Sequence, residues 1–293
     1  VATLMRQPSA EGLFDAAGMI SGGGVTISDN TNAKLLGERT VEILGLTEET
    51  IDEIQTIDYR TLLTAATQAQ EELKEEEIET RWGPTADGVV VMDEFVTTDI
   101  PVIVSGVFSE SAVSSYKYGD FRHHEWDEAE TTEKLEERFG DKADELLAEF
   151  NKLYPEMEDR EMYFYNNTMS GKWDIAEALT ELGNTVYLYE FDYESPVNGG
   201  ITAFHCEDLA FIFHNLDEPM VNIAYGEDPN AYIVQDAISD AFIALAYTGT
   251  PSTEELPWEA YESGSHNMMK FNVESGCVDH DTTAYTEILN EEK

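Results

Sequence analysis

Positive charge is the scarcest thing in this chain: 16 Lys and Arg stand against 61 Asp and Glu in 293 residues, a formal net charge of −45. A phosphate backbone or an anionic membrane surface is held by clustered Lys and Arg, so nucleic acid and membrane are both excluded as partners. Cysteine is nearly absent as well. Cys206 and Cys277 stand far apart without a C-x-x-C spacing, which excludes a redox motif, a thiolate zinc site and a disulfide scaffold. Two free, buried thiols are expected. No run approaches the roughly 20 apolar residues that cross a bilayer. Residues 1–6 also lack the long apolar stretch and small-residue cleavage site of a signal peptide. A soluble, cytoplasmic protein is expected, with secretion left open because the natural start is expected to lie upstream of Val1. Acidic runs such as 71–77 lack the oxygen-ligand spacing of a calcium loop and read as solvated helix faces. No metal and no organic cofactor is expected. The acidity fits a salty cytoplasm or selection for solubility.

What is present is an ordinary core: 42% of the residues are hydrophobic, enough for one large domain or two modest ones. Short apolar runs alternate with long amphipathic ones, the pattern of an α/β domain with a mostly parallel sheet flanked by helices. Residues 16–21, 100–106 and 185–191 read as buried strands. Helical spacing runs over 61–77, over 131–153 with an interruption near Gly140, over 174–182 up to Gly183, and over 231–247 up to Gly249 and Pro251. Residues up to about Tyr261 fit one domain, and the acidic end from Glu262 reads as looser.

Ligands and catalytic groups of open α/β sheets gather at the carboxyl ends of the strands. There the three strands deliver Ser21, Glu110 and, through Gly199 and Gly200, His205. A serine, an acid and a histidine in that chain order match the α/β-hydrolase arrangement, in which the acid orients the imidazole and the imidazole takes the serine proton. Each has a duller reading. Glu110 is one acid among 61, and carboxylates at such loops commonly cap a helix or face water. Among six histidines, His205 alone follows a Gly-Gly loop and precedes an apolar run. His123 and His124 lie in a charged loop and read as solvated, and His214 as a core histidine bonded to a carbonyl. Ser21 is half a nucleophile elbow, with Gly23 two residues after it but Met19 two residues before, where G-x-S-x-G needs a small residue.

Several segments carry a resemblance to the type-B carboxylesterases. Residues 8–22 are similar to the family run P-x-A-x-G-L-F-x-x-A-I-x-Q-S-G, and 83–88 to G-P-x-x-D-G. Residues 100–110 resemble I-P-V-x-x-G-x-x-x-x-E, with Ser105 where the glycine usually stands. Residues 203–213 resemble A-x-H-x-x-[DE]-[LI]-P-[FY]-V-F, with Ala210 replacing the proline. Residues 240–251 and 256–261 resemble the last helix and the W-P-x-Y that follows it.

The resemblance implies an α/β-hydrolase fold, represented over 1–293 by the C-terminal part of the domain. It also implies carboxylic-ester hydrolysis through a serine acyl-enzyme, with Glu110 as acid and His205 as general base. It places Ser21 at the supporting serine of Q-S-G and the nucleophile just upstream of Val1, outside the chain. The expected partners are a small-molecule carboxylic ester and the missing N-terminal half of the domain; the chain by itself is expected to be inactive. A competing expectation is a non-catalytic, esterase-like binding or interaction module. Tyr116, Tyr118, Phe121 and Trp126 are candidate walls of the ester pocket, or cover for the core. Acyl and alcohol specificity are not legible, because pocket walls come from loops of the whole protein.

Overall fold

A computed structural model describes residues 1–22, 30–112 and 122–291 of the chain, without the side chains of Asn30 and Asn198. These residues form two compact units: the larger holds 12–22 and the described residues from 98 onward, the smaller 2–11 and 30–97. In the smaller unit, helix α1 (Asn30–Ile43) packs on α2 (Tyr59–Glu75). Leu36, Ala69 and Leu73 are the buried residues of that seam. Arg39 of α1 fastens it at the rim, reaching Glu72 at 3.1 Å and Glu76 at 3.0 Å. Asp58 caps α2 by accepting the N–H groups of Arg60 and Thr61, the expected use of a short acidic side chain at a helix start. The acidic run 71–77 thus closes α2 with one buried residue, Leu73, and otherwise faces the rim and water.

The larger unit is built on a sheet that, among the described residues, has five strands in chain order: β1 (Ala17–Met19), β2 (Pro101–Val107), β3 (Thr185–Phe191), β4 (Asn267–Phe271) and β5 (Gly276–Asp279). β1 to β4 run parallel and β5 returns antiparallel. Val102 to Val107 are all buried, as are Val186 to Phe191, because helices cover both faces of such a sheet and leave no side to alternate toward water. The three strands expected from the sequence are β1 to β3. β4 and β5 fall instead in the stretch read as loose: Met268, Met269 and Phe271 are completely buried, and β4 pairs with β3. Asn, Met and Lys signal a strand weakly, and here burial beside β3 decides the conformation.

The crossovers from β2 to β4 are helical: α3 (Glu128–Phe139), α4 (Ala143–Leu153), α5 (Lys172–Glu181), α6 (Glu207–Ile212), α7 (Pro219–Tyr225) and α8 (Pro229–Thr248); α9 (Thr283–Asn290) follows β5. Gly140, with φ 61°, separates α3 from α4, at the interruption the sequence marks. Gly249 ends α8 in the left-handed conformation, the common helix stop. One core joins the sheet to α3, α4, α6, α8 and α9. At its centre Phe108, Phe150, Tyr154 and Tyr165 meet with ring centroids 5.1 to 6.1 Å apart. Among the described residues no helix is long and apolar enough to cross a membrane.

Candidate active site

Glu110 lies three residues beyond β2, and His205 ends the loop that follows β3. Two backbone connections bring those loops together: Ser109 N–H donates to Ala203 O at 3.0 Å, and Ser109 pairs with Phe204 in an isolated parallel bridge. One isolated bridge thus joins the two loops beyond the strand ends, immediately before the acid and the histidine. There Nδ1 of His205 is hydrogen-bonded to Oε2 of Glu110. The His205 side chain is 60% exposed, and among the described residues no hydrogen bond reaches its Nε2. An imidazole whose Nδ1–H is held by a carboxylate presents an Nε2 lone pair that can take a proton.

The loop leading to His205 is tightly built. Gly199 and Gly200 have φ of 91° and 128°, and a Cβ on Gly200 would sit 1.8 Å from Oε1 of Glu194. Only glycine adopts that backbone next to that carboxylate. Cys206 follows His205 in the left-handed region, φ 68°, and turns the chain into α6. Glu207, the first residue of α6, is buried and holds the turn from below: Oε2 accepts Phe204 N–H at 3.0 Å and Oε1 accepts the Tyr225 hydroxyl at 2.5 Å. Burial pushes its carboxyl well above the usual range.

Asp208 is a second carboxylate within electrostatic reach of the pair. It is fully buried; Oδ2 accepts the Tyr189 hydroxyl at 2.7 Å and Oδ1 has no hydrogen-bond partner. Burial raises its carboxyl to about 6, with Tyr189 pulling the other way, Glu110 adding to the rise and His205 opposing it. Tyr189 is also bonded to the Ser105 hydroxyl, whose oxygen accepts Ser21 N–H at 3.2 Å. Ser105, standing where the family glycine is usual, therefore joins β1 to β3. The Ser21 hydroxyl itself is buried without a hydrogen-bond partner, and its φ is 55°. No hydrogen bond carries it to His205.

Sequence reasoning missed Glu207, Asp208 and Tyr189. The H-x-E-D order of residues 205–208 was the visible signal, but one acidic chain offers many such pairs. Three histidines differ from expectation. His123 is completely buried, with Nε2 3.0 Å from Glu161 and its ring 4.7 Å from Phe164. The apolar residues beyond the charged loop fold over it. His124 is only partly exposed and lies against Gly199. His214 is at the surface, 3.1 Å from Asp236, because α6 ends two residues before it and the chain turns outward. Both thiols are free, but Cys206 is exposed and Cys277 half-buried rather than buried. Local desolvation, then Asp208 and Glu110, push the Cys206 thiol up, which leaves it a poor thiolate nucleophile beside His205. Trp126 stacks on the buried Phe164 with ring centroids 6.1 Å apart. Tyr116, Tyr118 and Phe121 lie outside the described residues.

The chain is 26% identical over 284 residues to the para-nitrobenzyl esterase of Bacillus subtilis (strain 168), covering 94% of this chain and 56% of that protein. It is 32% identical over 103 residues to the phenmedipham hydrolase of Pseudarthrobacter oxydans, covering 33% of this chain and 20% of that one. The chain thus spans little more than half of the para-nitrobenzyl esterase. Among solved structures it resembles an esterase from the anaerobe Clostridium hathewayi that can hydrolyse aliphatic aromatic polyesters, with a TM-score of 0.79 at 24% identity, covering 99% of this chain and 58% of that one. It also resembles a thermophilic para-nitrobenzyl esterase, with a TM-score of 0.69 at 24% identity, covering 98% and 60%. At such identities these two likenesses speak for the fold. The pattern of the carboxylesterase family matches residues 1–288, so this chain belongs to the carboxylesterase family and has the α/β-hydrolase fold.

Proposed function

We propose that this chain carries the acid and the base of a serine-dependent carboxylic-ester hydrolase, Glu110 and His205, and that the nucleophilic serine lies outside it. The observation that carries this reading is the hydrogen bond from His205 Nδ1 to Glu110 Oε2 at the carboxyl ends of β2 and β3. In the reaction His205 Nε2 takes the serine proton as the serine oxygen attacks the ester carbonyl. It then gives that proton to the leaving alcohol and later activates the water that hydrolyses the acyl-enzyme. Glu110 holds the ring and stabilises its charged form. Cys206 is the nearest alternative nucleophile along the chain, but its raised thiol and its place after the histidine suit a turn. Ser21, tied through its backbone to Ser105, supports β1 instead.

The partner this reading requires is the upstream part of the same domain. Among the described residues β1 pairs on one side only, with β2, and an unpaired edge of this kind is where further strands add. The substrate is a small carboxylic ester. Hydrolysis of p-nitrobenzyl or p-nitrophenyl esters by the full-length protein tests the roles, since a relative is a para-nitrobenzyl esterase. His205→Ala is expected to lower kcat by roughly 10⁴-fold or more, because such residues act as a unit; unchanged turnover refutes the assignment.

A further inference from the structure

The carboxylate of Glu110 is aimed by something other than itself. Residues 166–168 run beside the end of β2: Thr168 Oγ1 donates to Val107 O at 2.7 Å, and Asn166 N–H donates to Phe108 O at 3.4 Å. The Asn166 side chain then takes over where the backbone ladder ends. Its Oδ1 accepts Ser111 N–H at 2.9 Å, the Ser111 hydroxyl at 2.9 Å and the Ser109 hydroxyl at 3.2 Å. One amide oxygen therefore grips the residue before Glu110 and the residue after it. The opposite side of the same segment is held by Ser109 N–H on Ala203 O. With residues 109 and 111 both fixed, Glu110 projects in one direction, onto Nδ1 of His205.

We propose that Asn166 is a positioning residue for Glu110, and through it for the tautomer of His205. The proposal rests on the reading of Glu110 and His205 as an acid–base pair. An amide oxygen suits the task because it accepts hydrogen bonds without carrying charge, so it fixes the segment without competing electrostatically with the carboxylate. A Thr or Ser at 166 would be too short to reach both flanking serines, and an Ala would leave Ser111 N–H without its partner, a loss that frees the segment.

The test reads the tautomer of His205, which the hydrogen bond at Nδ1 sets. Long-range ¹H–¹⁵N correlation spectra of the ¹⁵N-histidine-labelled protein, taken at alkaline pH where the imidazole is neutral, give the Nδ1–H fraction directly. The wild type is expected to be predominantly the Nδ1–H form and Glu110→Ala to move toward Nε2–H. Asn166→Ala is expected to move at least half as far as Glu110→Ala while the other histidines stay in place. Asn166→Gln, which keeps an uncharged amide oxygen for the same donors, is expected to move His205 less than Asn166→Ala does. If Glu110→Ala shifts His205 and Asn166→Ala does not, the role of Asn166 is overturned and the pair stands. If Glu110→Ala leaves His205 unmoved, the pair itself is overturned. Should Asn166→Ala lose its dispersed spectrum, the double variant Ser109→Ala, Ser111→Ala replaces it. That variant removes the hydroxyl donors and keeps Ser111 N–H; a smaller shift in the same direction supports the proposal and none overturns it.

Discussion

Glu190 on β3 and Lys270 on β4 are register partners across two parallel strands, in the interior of the larger unit. Glu190 is completely buried and accepts the Tyr154 hydroxyl at 2.5 Å through Oε1, while Oε2 has no hydrogen-bond partner. Lys270 Nζ lies 3.7 Å above the Tyr154 ring and 3.7 Å from Oδ2 of Asp192. Burial raises the Glu190 carboxyl to about 7; Lys270 opposes the rise, Asp192 adds to it and the Tyr154 bond opposes it. His280, 3.3 Å from the same Tyr154 hydroxyl, is held well below its usual value by burial.

A pH-dependent stability follows for Glu190. The folded state prefers its neutral form, so its contribution is full below about 4.5 and is lost as pH rises toward about 7. Glu190→Gln keeps an oxygen for Tyr154 and removes the ionisation. Relative to the wild type, this variant should gain on the order of 2 kcal/mol between pH 5 and pH 8, read from urea unfolding at several pH values. His280, whose neutral form is favoured, works in the opposite sense below about pH 6.5 and is common to both proteins, so it cancels in the difference. Parallel pH profiles for the two proteins would contradict the assignment.

Phe150 is completely buried among Phe108, Tyr154 and Tyr165. Phe150→Ala is expected to destabilise the fold by about 3–5 kcal/mol, seen as a lower urea midpoint with an unchanged slope. A loss below about 1 kcal/mol would mean that this cluster is not the centre of the core.

Gly200 is where the His205 loop tolerates no side chain. Gly200→Ala places a methyl group against Oε1 of Glu194 at a φ that L-residues rarely adopt, and a cost above about 2 kcal/mol is expected. Glu194→Ala should recover part of that cost in the double variant, because it removes the clash and leaves the backbone strain. Additive effects of the two substitutions would show that the clash is not the cause.

The net charge of −45 disfavours the compact state through self-repulsion, which salt screens. The melting temperature is expected to rise between low salt and about 1 M NaCl, where the screening length falls to about 3 Å. A flat or falling melting temperature would show that local ion pairs, such as Arg39 with Glu72 and Glu76, outweigh the global charge.

The parallel sheet was legible because Val102 to Val107 and Val186 to Phe191 are mostly apolar runs, interrupted only by Ser105, Gly106 and Glu190, and the helices beside them because Gly140, Gly183 and Gly249 mark their ends. β4 was not, since its Met and Lys side chains become a strand only when β3 is there to pair with. α1 was hidden by its polarity: Leu36 alone of its apolar residues is buried. At the site, Glu110 and His205 could be found from their places after strands. Asn166 and Asp208 could not, because one acts by gripping its neighbours' serines and the other by being buried beside the pair. Neither role leaves a periodic trace in sequence.

The central claim is that His205 and Glu110 serve a serine that this chain does not contain. A fluorophosphonate probe, which phosphonylates an activated serine with loss of fluoride, tests this most directly on the full-length protein, with the modified residue located by peptide mass spectrometry. The label is expected on a serine outside residues 1–293, and it should be lost in His205→Ala. A label on Ser21 or any other residue of this chain, or undiminished labelling in His205→Ala, would contradict the account.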